Sequence, residues 1–213
     1  MNKQESQYIM RLENEDFAFE DLDQEMMIRL ARHEDSEVRC LVAEVLSQYS
    51  NDFCDDILIP MLADADELVR CNACDSLGSS CSVECIPFLL NLLVDESELV
   101  RCYAVMSVTD IILRTKAEQQ PYAVTFQKAS RKEKGIVRIA CFAALFQFGQ
   151  DKYLKRIFGF LRAEDYHQQI FAAKTLRDLK NSANKRIIEG ALKRAYKSAY
   201  PISVKEAFER AMA

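Results

Sequence analysis

The chain of 213 residues has no tryptophan, only five glycines and four prolines, and only two histidines. So few turn formers exclude a sandwich or barrel made of many tight turns, and they leave little room for long irregular loops. Nothing brackets His33 or His167 in the manner of a catalytic triad or a metal-binding H-E-x-x-H, and both are read as exposed turn residues. There is no glycine-rich phosphate loop, and Gly78 and Gly149 are expected near helix ends in C-cap positions. No apolar run approaches the ~18 residues of a membrane span, and the opening MNKQESQYIM has no apolar core of a signal peptide. These absences predict a cytoplasmic location and no membrane partner.

What is present is an ordered composition, 49% hydrophobic and 29% charged. The net charge of −5 hides a strong division. Residues 1–113 hold 7 Lys/Arg against 24 Asp/Glu, whereas residues 114–213 hold 21 against 9, so the halves carry −17 and +12. Eight cysteines without a secretory leader predict reduced thiols rather than a disulfide framework.

The chain is also self-similar. SEVRCLVAEVL from Ser36, ELVRCNACDSL from Glu67, ELVRCYAVMSV from Glu98 and GIVRIACFAAL from Gly135 align on the valine before each arginine. Those anchors are Val38, Val69, Val100 and Val137, and a degenerate copy, HQQIFAAKTL, puts Gln168 in the same place. The spacings are 31, 31, 37 and 31 residues. Within a copy the apolar residues recur every three to four positions, as at Val69, Ala73 and Leu77, which predicts one helix per copy with one apolar face. Asp35, Asp66 and Ser97 stand three residues before their anchors, where helix N-caps belong. Each such helix follows a second apolar run, for example DDILIPMLAD or YLKRIFGFLRAED. Pro87 suits a first helical turn, and Pro60 is expected to kink or shorten its helix. A helix pair cannot bury its apolar face alone, but stacked copies share a continuous core. The expected fold is all-α, an α-α superhelix (α-solenoid) of about six helical hairpins forming one domain over residues 1–213. Its irregular, longer repeat lies around residues 110–135, and residues 1–16 are a capping helix or an arm, with Tyr8, Ile9 and Leu12 favouring the helix.

LADADELVRCNACDSLG and LLVDESELVRCYAVMSV resemble the HEAT repeat, in the short bacterial form found in phycobilisome-lyase-type repeats. The resemblance implies hairpins stacked into a right-handed solenoid, with the second helices on the concave side. It also implies hydrogen bonds between neighbouring turns from Arg39, Arg70, Arg101 and Arg138 to aspartates at the positions of Asp64 and Asp95. His33 and Lys132 replace that aspartate in two copies, and Gln169 replaces the arginine in the fifth.

In the register of the repeats the dense cysteine stretch CNACDSLGSSCSVEC loses its zinc-like look. Cys71 shares its position with Cys40, Cys102, Ile139 and Ile170, and Cys74 shares its own with Ala43, Val105, Phe142 and Ala173. Both are packing positions, so no metal ligand and no cofactor is assigned; Cys81 and Cys85, at a repeat junction, are less constrained. No catalytic residue is assigned either, because acid–base work needs carboxylates converging on a pocket.

The expected function is therefore non-catalytic binding of a protein partner on the second-helix surface, acidic towards the N-terminus and basic towards the C-terminus. The candidate contacts are Leu41, Glu44, Asn72, Asp75, Tyr103, Met106, Asp110, Phe171 and Lys174. A nucleic-acid alternative, similar to DNA-alkylation-repair solenoids, would use Lys128, Arg131, Lys132, Lys134, Lys152, Lys155 and Arg156 on phosphates. The second alternative, implied by the resemblance alone, is a bilin-lyase-type enzyme or subunit.

Overall fold

The computed structural model describes residues 3–13, 22–49, 52–199 and 201–213. Among them are thirteen α-helices, two short 3-10 turns and no strand. They divide into two compact units, Met1–Ala117 and Glu118–Ala213.

Unit 1 contains α1 (Lys3–Glu13), α2 (Gln24–Leu30), α3 (Ser36–Leu46), α4 (Asp52–Met61), α5 (Glu67–Ser80), α6 (Ile86–Asn91) and α7 (Glu98–Thr115). The anchored helices α3, α5 and α7 stack side by side, and α2, α4 and α6 each pack against the helix that follows. Helix α1 buries Tyr8, Ile9 and Leu12 and packs against α3. The Tyr8 hydroxyl accepts the Asp23 N–H at 2.9 Å, and Arg29 pairs with Glu5 at 2.7 Å.

The helix starts follow the sequence. Asp35, Asp66 and Ser97 cap α3, α5 and α7, each side chain accepting a backbone N–H of the first turn. Such caps satisfy donors that a helix cannot satisfy itself. Pro87 lies in the first turn of α6, and Pro60 is the penultimate residue of α4, where its missing N–H and its ring end the helix.

The inter-turn ladder is formed at two of its four arginines. Arg39 Nε and Nη2 donate to Asp64 at 2.7 Å each, while Nη1 donates to the carbonyls of His33 and Glu34. Arg70 repeats the pattern on Asp95 and on the carbonyls of Asp64 and Ala65. Arg101 donates through Nη1 to the carbonyls of Asp95 and Glu96. In the following copy Lys132 fills the repeat position of Asp64 and Asp95. Arg138 departs further, and the expectation of a carboxylate partner there is corrected: the residue 25 positions on is Ala163, and Arg138 Nε is buried without a hydrogen-bond partner.

Gly78 also departs from expectation. It lies inside α5, buried, rather than at its end. A Cβ there would stand 2.9 Å from Ser107 Cα on α7, so the missing side chain is what lets these two helices approach. Gly149, by contrast, follows α9 with φ of +81°, where the Gln150 N–H closes back on the Leu145 carbonyl as a C-cap.

Unit 2 contains α8 (Gln120–Lys132), α9 (Gly135–Gln147), α10 (Lys152–Phe160), α11 (Tyr166–Asp178), α12 (Lys185–Tyr196) and α13 (Ile202–Met212). Helix α9 packs on α8, α10 and α11, and α11 packs on α13. The core around α9 is aromatic: Phe142 stacks at a tilt on Tyr153 (5.4 Å) and Phe160 (6.3 Å), and Phe126 lies parallel to Phe148. Gln169, in the arginine position of the ladder, still donates to the Ala163 carbonyl at 2.6 Å. It keeps the turn contact and drops the ion pair.

Candidate functional site

Three parallel helices with the same register place equivalent residues in rows. The positions three after each anchor, Leu41, Asn72 and Tyr103, are half-buried and line one groove across α3, α5 and α7. Glu44 joins them, and the cavity is about 360 Å³. Asp75, Met106 and Asp110 are exposed on α5 and α7 of the same unit. Phe171, half-buried, and Lys174, exposed, belong to α11 of unit 2.

Cys40, Leu68 and Leu99 line the groove too and were missed in the sequence. The signal was available: both leucines precede their anchors within E-L-V-R; in the structure Leu68 is 54% exposed.

The electrostatics mark this surface as acidic and crowded. Although Asp75 reaches solvent, the helices packed around its base desolvate the carboxyl and raise it above its ordinary value. At Asp110 burial, then the charge of Asp75, outweigh Arg114 and push the pKa up to about 6. Burial, then Asp75, also raises the Tyr103 phenol. Arg114 donates to the carbonyls of Gly78 and Cys81.

Cys71, Cys74 and Cys141 are buried free thiols. Burial pushes Cys71 and Cys141 up to about 12 and Cys74 higher, so none is a nucleophile at neutral pH. The expectation of reduced thiols is corrected at one place: Cys81 and Cys85 are joined, with Cα atoms 6.3 Å apart. Short separation and a shared turn bring them together, between the end of α5 and the start of α6. Asp55 lies beside the pair, within 3.3 Å of Cys81 Sγ. His33 accepts the Asp35 N–H, and His167 stacks on Tyr166 beside Asp165, both at turns.

All seven basic candidates are exposed; Arg131, Lys152 and Arg156 line one cleft of unit 2, and Lys128, Lys132, Lys134 and Lys155 do not. Among the described residues, no helix is long and apolar enough to cross a membrane.

Residues 56–120 match the model of the HEAT-repeat family, under the description "HEAT repeats". No curated protein matches the chain. Among solved structures, the complex of CpcE and CpcF of phycocyanin lyase from a Nostoc species is similar over 92% of this chain and 97% of that one, at 19% identity and a TM-score of 0.46. A designed armadillo repeat protein is similar over 89% and 98%, at 18% identity and a TM-score of 0.41. The helical hairpins and the matched central segment make this an all-α helical-repeat fold, HEAT-like over residues 56–120.

Proposed function

We propose that the chain is a non-catalytic scaffold that binds a protein through the groove of α3, α5 and α7. The observation that carries this reading is the convergence of Leu41, Asn72 and Tyr103, with Glu44, on one groove. Exposed Leu68 and Met106 add apolar area to an acidic face, the mixture that suits a partner segment both basic and amphipathic. A half-buried tyrosine between carboxylates is a natural anchor. Phe171 and Lys174, on α11, are proposed as contacts of unit 2 by itself. Repeat arrays of this kind commonly bind proteins, and the fold by itself implies no more than that. The cytoplasm is the proposed location.

The test is a paired capture from native extract followed by mass spectrometry, with Tyr103→Ala and Asp75→Lys as comparison baits. A protein retained by the native chain and lost with both variants supports the groove. A bound set unchanged by either variant removes it.

A second reading, nucleic-acid binding, draws on the meeting of Arg131, Lys152 and Arg156. It requires duplex affinity that falls steeply with salt and weakens on charge reversal at Lys152, Lys155 and Arg156. Absence of binding near physiological salt would sink it.

A further inference from the structure

In the first repeats the ladder arginine is neutralised by an aspartate 25 residues on, as Arg39 is by Asp64 and Arg70 by Asp95. Arg138 has Ala163 in that place. It has also lost its turn carbonyls, because the turn before α9 is Lys132-Glu133-Lys134-Gly135 and enters the helix with Gly135 at φ of +47°. Among the described residues, the carbonyl contacts made by Arg39, Arg70 and Arg101 have no counterpart at Arg138. Its Nε, a buried donor with nothing to donate to, is an unusual state for a folded chain.

Arg138 lines an open cleft of about 390 Å³ between α8, α9 and α10. Arg131, Lys152 and Arg156 bring three further cations to the same walls, and no carboxylate lines them. Glu133 and Asp151, nearest in the chain, are outside the lining. Arg156 is held by two rings, its guanidinium 5.6 Å from the centre of Phe142 and 5.4 Å from that of Tyr153. Lys152 Nζ is 5.1 Å from the Tyr153 ring. Stacking on aromatic faces fixes where these charges point without neutralising them.

We propose that this pocket is a binding site for a phosphomonoester dianion. One carboxylate suffices for one ladder arginine at Arg39 or Arg70, so four cations about one cavity exceed what a single carboxylate would balance. A terminal phosphate carries nearly two negative charges at neutral pH and three acceptor oxygens, and arginine forks match it in pairs. The four cations gather about one cleft, which suits a single terminal group with nearly two charges better than the repeated monoanions of a nucleic-acid backbone. The source is either free phosphate or a phosphorylated side chain of a partner. This site is on a different unit from the groove above and stands or falls separately.

The experiment uses the full chain, with inorganic phosphate and a fluorescent phosphoserine peptide as probes and the unphosphorylated peptide as reference. Arg138→Gln and Lys152→Gln are each expected to weaken phosphate binding at least tenfold, while Lys193→Gln, on α12, leaves it unchanged. Native circular dichroism certifies each variant, and Lys152, being exposed, secures a folded test if the Arg138 variant fails. Phosphate displacing the bound phosphopeptide places the ligand on a partner protein, whereas phosphate binding without peptide binding identifies a small ligand; either supports the site. Equal losses from Lys193→Gln, or a phosphopeptide held no more tightly than its unphosphorylated form with no binding of phosphate, overturns it. So does duplex DNA that binds through the same residues and is not displaced by phosphate.

Discussion

Arg70 and Asp95 face each other fork to fork, Nε and Nη2 donating to the two carboxylate oxygens at 3.0 and 2.9 Å, with both side chains at or below 10% exposure. Glu96, 3.9 Å from the same guanidinium, is 92% exposed. Asp95→Asn should destabilise unit 1 by about 3 kcal/mol in urea unfolding, because it strands a buried guanidinium, and Glu96→Gln should change nothing measurable.

The same pairs set the acid limit of stability. At Asp95 burial is the largest influence and raises the pKa, but the Arg70 hydrogen bond, the Ser97 N–H and the arginine charges together leave it lowered; Asp64 behaves likewise with Arg39. The unfolded carboxyls therefore bind protons first as pH falls. Stability from these pairs is present above about pH 4 and is lost as pH drops through their lower folded values. The Asp64→Asn, Asp95→Asn double variant should show a flatter stability profile between about pH 5 and 2.

Asp110 works with the opposite sign. Its folded pKa of about 6 exceeds that of an unfolded aspartate, so the folded chain binds the extra proton and stability declines as pH rises from about 4 through 6. Asp110→Asn should raise the thermal midpoint at pH 7.5 and have little effect at pH 4.5. Solvent contact at this residue keeps the gain below about 1 kcal/mol.

Gly78→Ala tests the α5–α7 approach. The new methyl meets backbone at 2.9 Å, which a rotamer change cannot relieve, so the helices must separate. A loss of about 1–3 kcal/mol is expected by thermal or urea unfolding. Gly159→Ala, where nothing lies within 4 Å, should be neutral or stabilising.

Thiol counting tests the cysteine assignment. Denatured chain without reductant should titrate six thiols, and eight after reduction. Native Cys71, Cys74 and Cys141 should resist alkylation at pH 8, because burial both covers them and suppresses their thiolates.

Much of the array is visible before folding, since the 31-residue spacing, the Asp35, Asp66 and Ser97 caps and the apolar faces are all local patterns. The second-helix rows follow from register, which is why Leu41, Asn72 and Tyr103 could be grouped in advance. What escaped depends on contacts between copies. Gly78 reads as a helix end until Ser107 of the next copy is set against it. Arg138 reads as one more rung until Ala163 is seen to be its missing partner. Cys81 and Cys85 carry no register constraint, and only the turn geometry pairs them.

The ladder has a consequence for the turns themselves. Asp64 and Asp95, besides holding an arginine, accept the N–H of Asp66 and Ser97, so each rung fastens its own turn. Lys132 and Ala163 offer no such acceptor. A protease should therefore read the chain unevenly: trypsin would find an early cut at Lys134, whose turn lacks the aspartate staple of Asp64 and Asp95, while the bonds beside Arg39 and Arg70 persist until unit 1 unfolds as a whole.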